Sequence, residues 1–216
     1  MWKMEIPEAA IIRLSVYSRC LKDLNEKGIM DIASSDIAEM VGVKSSQIRK
    51  DLSYFGKFGT RGSGYNVLDL YTQTLKILSL CCGWSVALVG CGNLGSALSC
   101  YGGYKERGFH ITSIFDNDPK KIGTMICGIE VMHIDRLEEV VKKNRTQIGI
   151  ISVPDAAAQI IADALIRSGV RGILSFASVI LNVPAKVEIR YVDLIGYLEI
   201  LTFGMQNKNW KRPYQK

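Results

Sequence analysis

Histidine is nearly missing from this chain, with two residues among 216, His110 and His133. Hydride transfer to a carbonyl needs a proton donor and a substrate cradle. His110 opens an apolar run and His133 follows one, which suits structural or exposed positions better than catalytic ones. Tyr101 and Lys105 stand at Tyr-x-x-x-Lys spacing, but a nucleotide half of about 115 residues leaves little room for a substrate domain. No catalytic residue is therefore assigned, and the chain is not expected to be an enzyme. The six cysteines, at positions 20, 81, 82, 91, 100 and 127, include no C-x-x-C pair and no histidine at zinc spacing. That pattern argues against a metal site and leaves buried reduced thiols as the expectation. Cys91 lies next to glycines at a predicted helix start, where a thiol pKa can fall and oxidation becomes accessible. No 18-residue apolar run is free of glycine or charge, and no signal-type segment follows Met1, so a cytoplasmic protein without a membrane span is expected.

What is present is enough apolar mass for a real core, 48% hydrophobic against 22% charged residues. The net charge of +6 is not evenly spread. Residues 81–200 carry equal numbers of acidic and basic side chains, whereas residues 44–61 hold Lys44, Arg49, Lys50, Lys57 and Arg61 against Asp51 alone. A local basic patch of that kind is what an anionic polymer requires.

The most informative stretch begins at Trp84. An apolar run through Val89 predicts a strand buried on both faces, and Gly90-Cys91-Gly92-Asn93-Leu94-Gly95 falls where a tight strand-to-helix turn must form. Gly90 permits the turn, Gly92 lets a pyrophosphate approach the backbone, and Gly95 lets helix and sheet pack closely. The helix is predicted over 93–107, with Gly108 beyond its end and an anion favoured at its start. Asp116 ends the next predicted strand, 21 positions after Gly95. A carboxylate there accepts from a ribose 2′-hydroxyl and repels a 2′-phosphate, so NAD(H) is expected over NADP(H). The competing reading is a glycine-rich turn in an empty doubly wound fold.

Upstream, Ile11, Leu14, Leu21 and Leu24 recur at helical spacing, predicting a first helix over 8–27 closed by Gly28. Ser34 or Ser35 can cap a second helix ended by Gly42, and Ser45 can cap a third. In the third, Ile48, Leu52 and Phe55 share one face and leave Ser46, Gln47, Arg49 and Lys50 on the others. Two helices, a tight turn and a polar third helix make a helix-turn-helix reader. Arg49 suits guanine, Gln47 adenine and Lys50 phosphate. Lys57-Phe58-Gly-Thr-Arg61-Gly62-Ser-Gly-Tyr65 then reads as a hairpin wing, with Arg61 at its tip for the minor groove. The alternatives are a three-helix dimerisation module and, for Phe58 and Tyr65, packing beneath the hairpin.

These residues carry a resemblance. Gln47-Ile-Arg-Lys-Asp-Leu-Ser-Tyr-Phe-Gly56, the Arg61-Gly-Ser-Gly-Tyr65 wing, the glycine loop, Phe115-Asp-Asn-Asp-Pro119 with Lys121-Ile-Gly, Ser152-Val153-Pro154 and Gly172-Ile-Leu-Ser-Phe-Ala177 closely resemble the Rex family of bacterial redox-sensing transcriptional repressors. The likeness spans nearly the whole chain. It implies a homodimer on pseudo-palindromic operator double-stranded DNA, released by NADH rather than NAD+. It further implies a winged helix-turn-helix domain over 1–79, an α/β Rossmann-type domain with a mainly parallel sheet over 80–194, and a helix and basic tail over 195–216 exchanged between subunits. By the same resemblance Tyr101 lies near the nicotinamide, Arg19, Tyr101 and Asp193 form a network linking nucleotide to DNA domains, and Ser152-Val153-Pro154 borders the nicotinamide pocket. Two departures stand out: Ser63 in the wing where the family has Val, and Ser175-Phe-Ala-Ser178 in place of Asn-Phe-Ala-Pro.

The remaining pattern predicts strands at 129–132, 148–153, 173–176 and 187–192, helices at 136–143 and from Pro154 to near Gly169, and an apolar stripe of Ile195, Leu198, Leu201 and Met205 on a last helix. Such alternation gives a mainly parallel sheet with its ligand at the carboxyl ends of the strands. The competing functional reading is an NAD-dependent dehydrogenase with an N-terminal regulatory domain.

Overall fold

The structure, a computed structural model, describes residues 6–59 and 64–207. These fall into two compact units that divide at Cys81 and Cys82.

The N-terminal unit contains α1 (Glu8–Glu26), β1 (Asp31–Ile32), α2 (Ser34–Val41), α3 (Ser45–Ser53), β2 (Tyr65–Asn66) and α4 (Val67–Ile77). Its core is the set the helical spacing selects: Leu14, Tyr17, Leu21 and Leu24 of α1 pack with Ile37, Ile48, Leu52 and Phe55. Each such side chain removed from water contributes about 1.5–3 kcal/mol. The expected serine caps are not used. Ser34 and Ser45 are first helical residues, preceded by extended Ala33 and Lys44, and neither caps with its hydroxyl. The Ala33 N–H donates instead to Asp36 Oδ2. Of the expected wing, Gly59 lies beside the Gly64 backbone and the Tyr65 ring, and Tyr65–Asn66 pair antiparallel with Asp31–Ile32. Arg61, Gly62 and Ser63 lie outside the described residues.

The C-terminal unit is built on a seven-stranded sheet. Its strands are β3 (Trp84–Val89), β4 (Phe109–Asp116), β5 (Met125–Ile126), β6 (Ile129–His133), β7 (Ile148–Ile151), β8 (Gly172–Ser175) and β9 (Glu188–Tyr191), in the order β5-β6-β4-β3-β7-β8-β9. All pairs are parallel except β5 with β6. Helices α5 (Asn93–Ser99), α6 (Gly102–Glu106), α7 (Leu137–Lys143), α8 (Asp155–Arg167) and α9 (Leu194–Gln206) complete it.

The apolar run of β3 reflects burial on both faces. Ala87 and Val89 join Phe115, Ile151, Leu137, Val141, Ala158 and Leu165 on one side, while Val86 and Leu88 join Ile114, Val131, Ile150 and Leu98 on the other. Strand order reverses between β3 and β7, and a crevice opens at the carboxyl ends of these two strands, where doubly wound sheets bind ligand.

Two expectations fail in this unit. The glycine-turn helix does not run from 93 to 107: α5 ends at Ser99, Tyr101 is extended at ψ 106, and α6 starts afresh at Gly102. The break falls at Cys100, which is bonded to Cys127, and at Tyr101, whereas Gly102 and Gly103 beyond it are helical. Nor are all the thiols reduced, because Cys100 and Cys127 form a disulfide.

Candidate functional site

The turn after β3 is as tight as its glycines suggest. Gly90 has φ 97, and a Cβ placed on it would run into the Ser152 backbone. A Cβ on Gly95 would meet the Gly90 carbonyl oxygen, so α5 sits directly on the turn. Gly92 has open space around its Cα, which is what a ligand approaching the backbone needs. Ser152 clamps the turn from β7, its hydroxyl donating to the carbonyls of Val89 (3.1 Å) and Gly90 (2.8 Å).

These elements enclose a cavity of about 650 Å³. Of the residues expected to hold the nucleotide, Gly90, Gly92, Leu94, Asp116, Lys121, Ser152, Val153 and Pro154 line it. Cys91, Asn93 and Gly95 support the turn from behind, outside the lining. Tyr101, expected near the nicotinamide, is not in the lining either. It is 62% exposed and packs edge-on against Tyr104, with ring centroids 5.2 Å apart. Sequence reasoning missed the apolar wall of Ile134, Ala157 and Ile161, whose signal is indistinguishable from ordinary core. Phe176, inside the family motif, lines the cavity as well. The two departures around it are accommodated by side chain to backbone bonds. Ser175 Oγ accepts the Ala177 N–H, and the Ser178 N–H donates to Asp155 Oδ1.

Asp116 is only 6% exposed and already well bonded. Its carboxylate accepts the Cys91 N–H at 2.6 Å, the Asp118 N–H at 2.9 Å and Lys121 Nζ at 3.1 Å. Burial raises its pKa, but the two backbone N–H groups and the Lys121 ammonium outweigh that and hold it below the usual carboxylate value. It therefore stays ionised, with little acceptor capacity left for a ribose hydroxyl. Lys121 also offsets the negative charge, so a 2′-phosphate meets less repulsion than a bare carboxylate would give.

Cys91 does not carry an activated thiol. Burial first, and then the Asp116 charge, push its pKa up to about 11. Iodoacetamide at pH 7.5 is expected to label the exposed Cys81 and Cys82 well before Cys91, as read by peptide mass mapping over time. Labelling of Cys91 first would contradict this electrostatic reading.

In the N-terminal unit, Ser46, Arg49, Lys50 and Lys57 are exposed, as a polymer-binding face requires. Arg49 Nη1 donates to Ser34 Oγ at 3.0 Å. Gln47 departs from its expected role, because its Nε2 donates to Asp51 Oδ1 at 2.8 Å and draws the amide inward. Asp51 is fully buried and accepts from Arg13 (2.6 and 2.7 Å) and the Tyr17 hydroxyl (2.8 Å). For Tyr65 and Phe58, placed in the DNA-binding wing with packing beneath it as the alternative, the packing is what is seen: Tyr65 is a core residue with its ring against Gly59, and Phe58 packs on the same core.

Arg19 is exposed on α1, where its Nη1 reaches Ser15 Oγ at 3.3 Å. Asp193 Oδ1 accepts the Gly196 N–H and caps the first turn of α9. Among the described residues no cluster of three His, Cys, Asp or Glu side chains could hold a metal, and no helix is long and apolar enough to cross a membrane.

Comparison with known proteins matches residues 83–179 to the family model "CoA binding domain" and residues 5–53 to "Putative DNA-binding protein N-terminus". The redox-sensing transcriptional repressor Rex of Desulfitobacterium hafniense is 64% identical over 95% of this chain and 98% of its own. That of Carboxydothermus hydrogenoformans is 58% identical over 94% and 97%. Among solved structures, RSP in complex with β-NAD+ and operator DNA superposes with a TM-score of 0.89 at 36% identity, covering 95% of each chain. RSP with β-NADH gives 0.84 at 35% identity, over 95% of this chain and 97% of that one. With a glycine-turn cavity in one unit, a basic helix-turn-helix face in the other, and this identity across almost its entire length, the chain belongs to the Rex family of redox-sensing transcriptional repressors.

Proposed function

We propose that this protein binds operator DNA through α3 and its flanking basic residues, binds NAD(H) in the cavity at the β3 and β7 ends, and leaves DNA when NADH occupies it. The observation that carries the reading is the pairing of that dinucleotide cavity with a lining that presents no acid or base suited to turnover. The ionisable groups of the lining, Asp116, Asp118 and Lys121, pair with one another. A sensor rather than an enzyme fits this lining. The related RSP has been solved both with β-NAD+ and operator DNA and with β-NADH, which supports the same polarity here.

Release follows from linkage: if NADH and DNA prefer different geometries of the protein, each lowers affinity for the other by the same factor. Moving the switch from 1:99 to 99:1 takes about 5.5 kcal/mol of differential affinity. Reduced nicotinamide is uncharged and tolerates the apolar lining of Val153, Pro154 and Phe176, which disfavours the cationic oxidised ring. Arg19, Tyr101 and Asp193 are the proposed couplers between nucleotide and DNA.

The working assembly is a homodimer in the cytoplasm. Leu194, Ile195, Leu198, Leu201, Phe203 and Met205 of α9 are all exposed. Apolar surface on that scale marks an interaction face, and a second copy of the chain is the occupant proposed.

A gel shift on a pseudo-palindromic operator library, with NADH, NAD+ and NADPH titrated separately, tests the reading. NADH should release DNA at lower concentration than either of the others. Arg49→Ala should relax base preference, and Lys50→Ala should weaken all sequences alike and reduce the salt slope by about one unit. DNA binding indifferent to all three nucleotides would overturn the proposal.

A further inference from the structure

Cys100 and Cys127, 27 residues apart, are joined with their Cα atoms 5.5 Å apart, and both residues are exposed to small solutes. Cys100 is the C-cap of α5 at ψ 1, and the following Tyr101 is the extended N-cap of α6. The bond therefore ties the point at which the glycine-turn helix breaks to the β5–β6 turn. In that turn Cys127 (φ 48) and Gly128 (φ 81) are both left-handed, a two-residue conformation that asparagine and glycine favour. Local backbone preference does not call for cysteine there. Its position is accounted for by the partner it reaches.

The break also positions Tyr101, whose ring lies against Gly103 and edge-on to Tyr104. Cys100 and Tyr101 are the residues that interrupt the helix here, so a covalent restraint on Cys100 acts at the break itself. Without the bond, the continuous 93–107 helix predicted by the sequence becomes accessible. Elsewhere, Cys91 is buried with a raised pKa, and burial also raises that of Cys20.

We propose that Cys100 and Cys127 form a thiol–disulfide exchange site that takes a low-molecular-weight disulfide as its oxidant, and that its oxidised state holds Tyr101 away from the nucleotide and weakens NADH binding. The inference rests on the dinucleotide reading above. In the reduced pair, the thiolate of one cysteine attacks a sulfur of the small disulfide. The small S–S bond breaks and one thiolate leaves. The second cysteine then attacks the protein sulfur of the mixed disulfide and expels the other thiolate. Two electrons pass from the pair to the small molecule, which departs as two thiols carrying the two protons. A dithiol reverses the sequence.

The test uses the full chain equilibrated in glutathione buffers of graded oxidised-to-reduced ratio, then alkylated under denaturing conditions. All six cysteines should react in the reduced sample and four in the oxidised one, with peptide mapping assigning the missing pair to Cys100 and Cys127. Calorimetric NADH titration should give a Kd about fivefold or more weaker in the oxidised sample. Cys100→Ser and Cys127→Ser should each show one affinity in both buffers. Full alkylation of both cysteines at every ratio would overturn the exchange site. A disulfide that forms without changing Kd, or variants that still show two affinities, would overturn its link to the nucleotide. Failure to bind NADH in either state would instead remove the dinucleotide reading, and the thiol count would still decide the exchange site.

Discussion

Gly95→Ala is expected to cost stability and NADH binding together, whereas Gly92→Ala should cost binding alone. The two glycines stand three residues apart in one turn, but their surroundings differ. A Cβ on Gly95 meets the Gly90 carbonyl oxygen and Ser152 Oγ. The carbonyl is backbone, fixed by the Ser152 hydroxyl that donates to it at 2.8 Å, so it cannot rotate away. Either α5 lifts from the sheet or the turn deforms. Overpacking of this kind costs about 1–3 kcal/mol. The urea midpoint of the C-terminal unit should fall with little change in slope. Because the displaced α5 opens the turn that faces the ligand, NADH affinity should fall by about tenfold or more, roughly 1.4 kcal/mol. Gly92 has φ −66 and no neighbour within 4 Å of a built Cβ, so alanine fits the free protein. The methyl instead occupies the approach to the backbone from the cavity. Circular dichroism melts and NADH titration on the two variants separate these effects. Equal stability loss in both would remove the distinction drawn between them.

How much of this site was legible in the sequence depends on how local its causes are. The β3 run, the Gly90 turn and Asp116 were readable because each rests on backbone geometry or on burial of contiguous residues. The end of α5 was not. Helical periodicity continues past Ser99, and what stops it involves Cys127, 27 residues away and itself in a turn no local preference assigns to cysteine. Asp116 does end β4 and line the cavity, but its commitment to Cys91, Asp118 and Lys121 required the fold. The serine caps fail for a similar reason: Ser34 and Ser45 have the right chemistry, one position too late. In the N-terminal unit the apolar face of α3 was plain, whereas the inward turn of Gln47 was not. An acidic residue on an amphipathic helix reads as solvated unless its partner is known, and the partners of Asp51 on α1 are 34 and 38 residues away.

That buried carboxylate makes Asp51→Ala the most damaging single change expected in the N-terminal unit. Arg13 donates to it from both Nε and Nη2, Tyr17 through its hydroxyl and Gln47 through its amide, so four hydrogen bonds converge on a side chain with no exposure. Removing it takes two charge-assisted bonds from a largely buried guanidinium and the acceptor from a buried phenol. Loss of one partner of a buried pair costs about 3–5 kcal/mol, a large share of the whole stability of a small domain. DNA affinity should fall for every sequence, through unfolding rather than altered base preference, and a thermal melt of the N-terminal unit should show it directly. Arg13→Ala combined with Asp51→Ala should be less damaging than the sum of the two, since both single changes break the same pair of bonds. The pH dependence has a definite sign. Burial raises the Asp51 pKa, but bonds from Arg13, Tyr17 and Gln47 and the Arg13 charge hold it below its ordinary value of 3.8. A carboxylate depressed in the folded state contributes its full stability above the unfolded value and loses it as pH falls toward the folded one. Asp51→Asn, of nearly the same shape, should therefore be less stable than the parent at neutral pH, with a gap that narrows below about pH 4. A gap that stays constant from pH 7 to pH 3 would show that packing, and not the charge of Asp51, anchors α3 to α1.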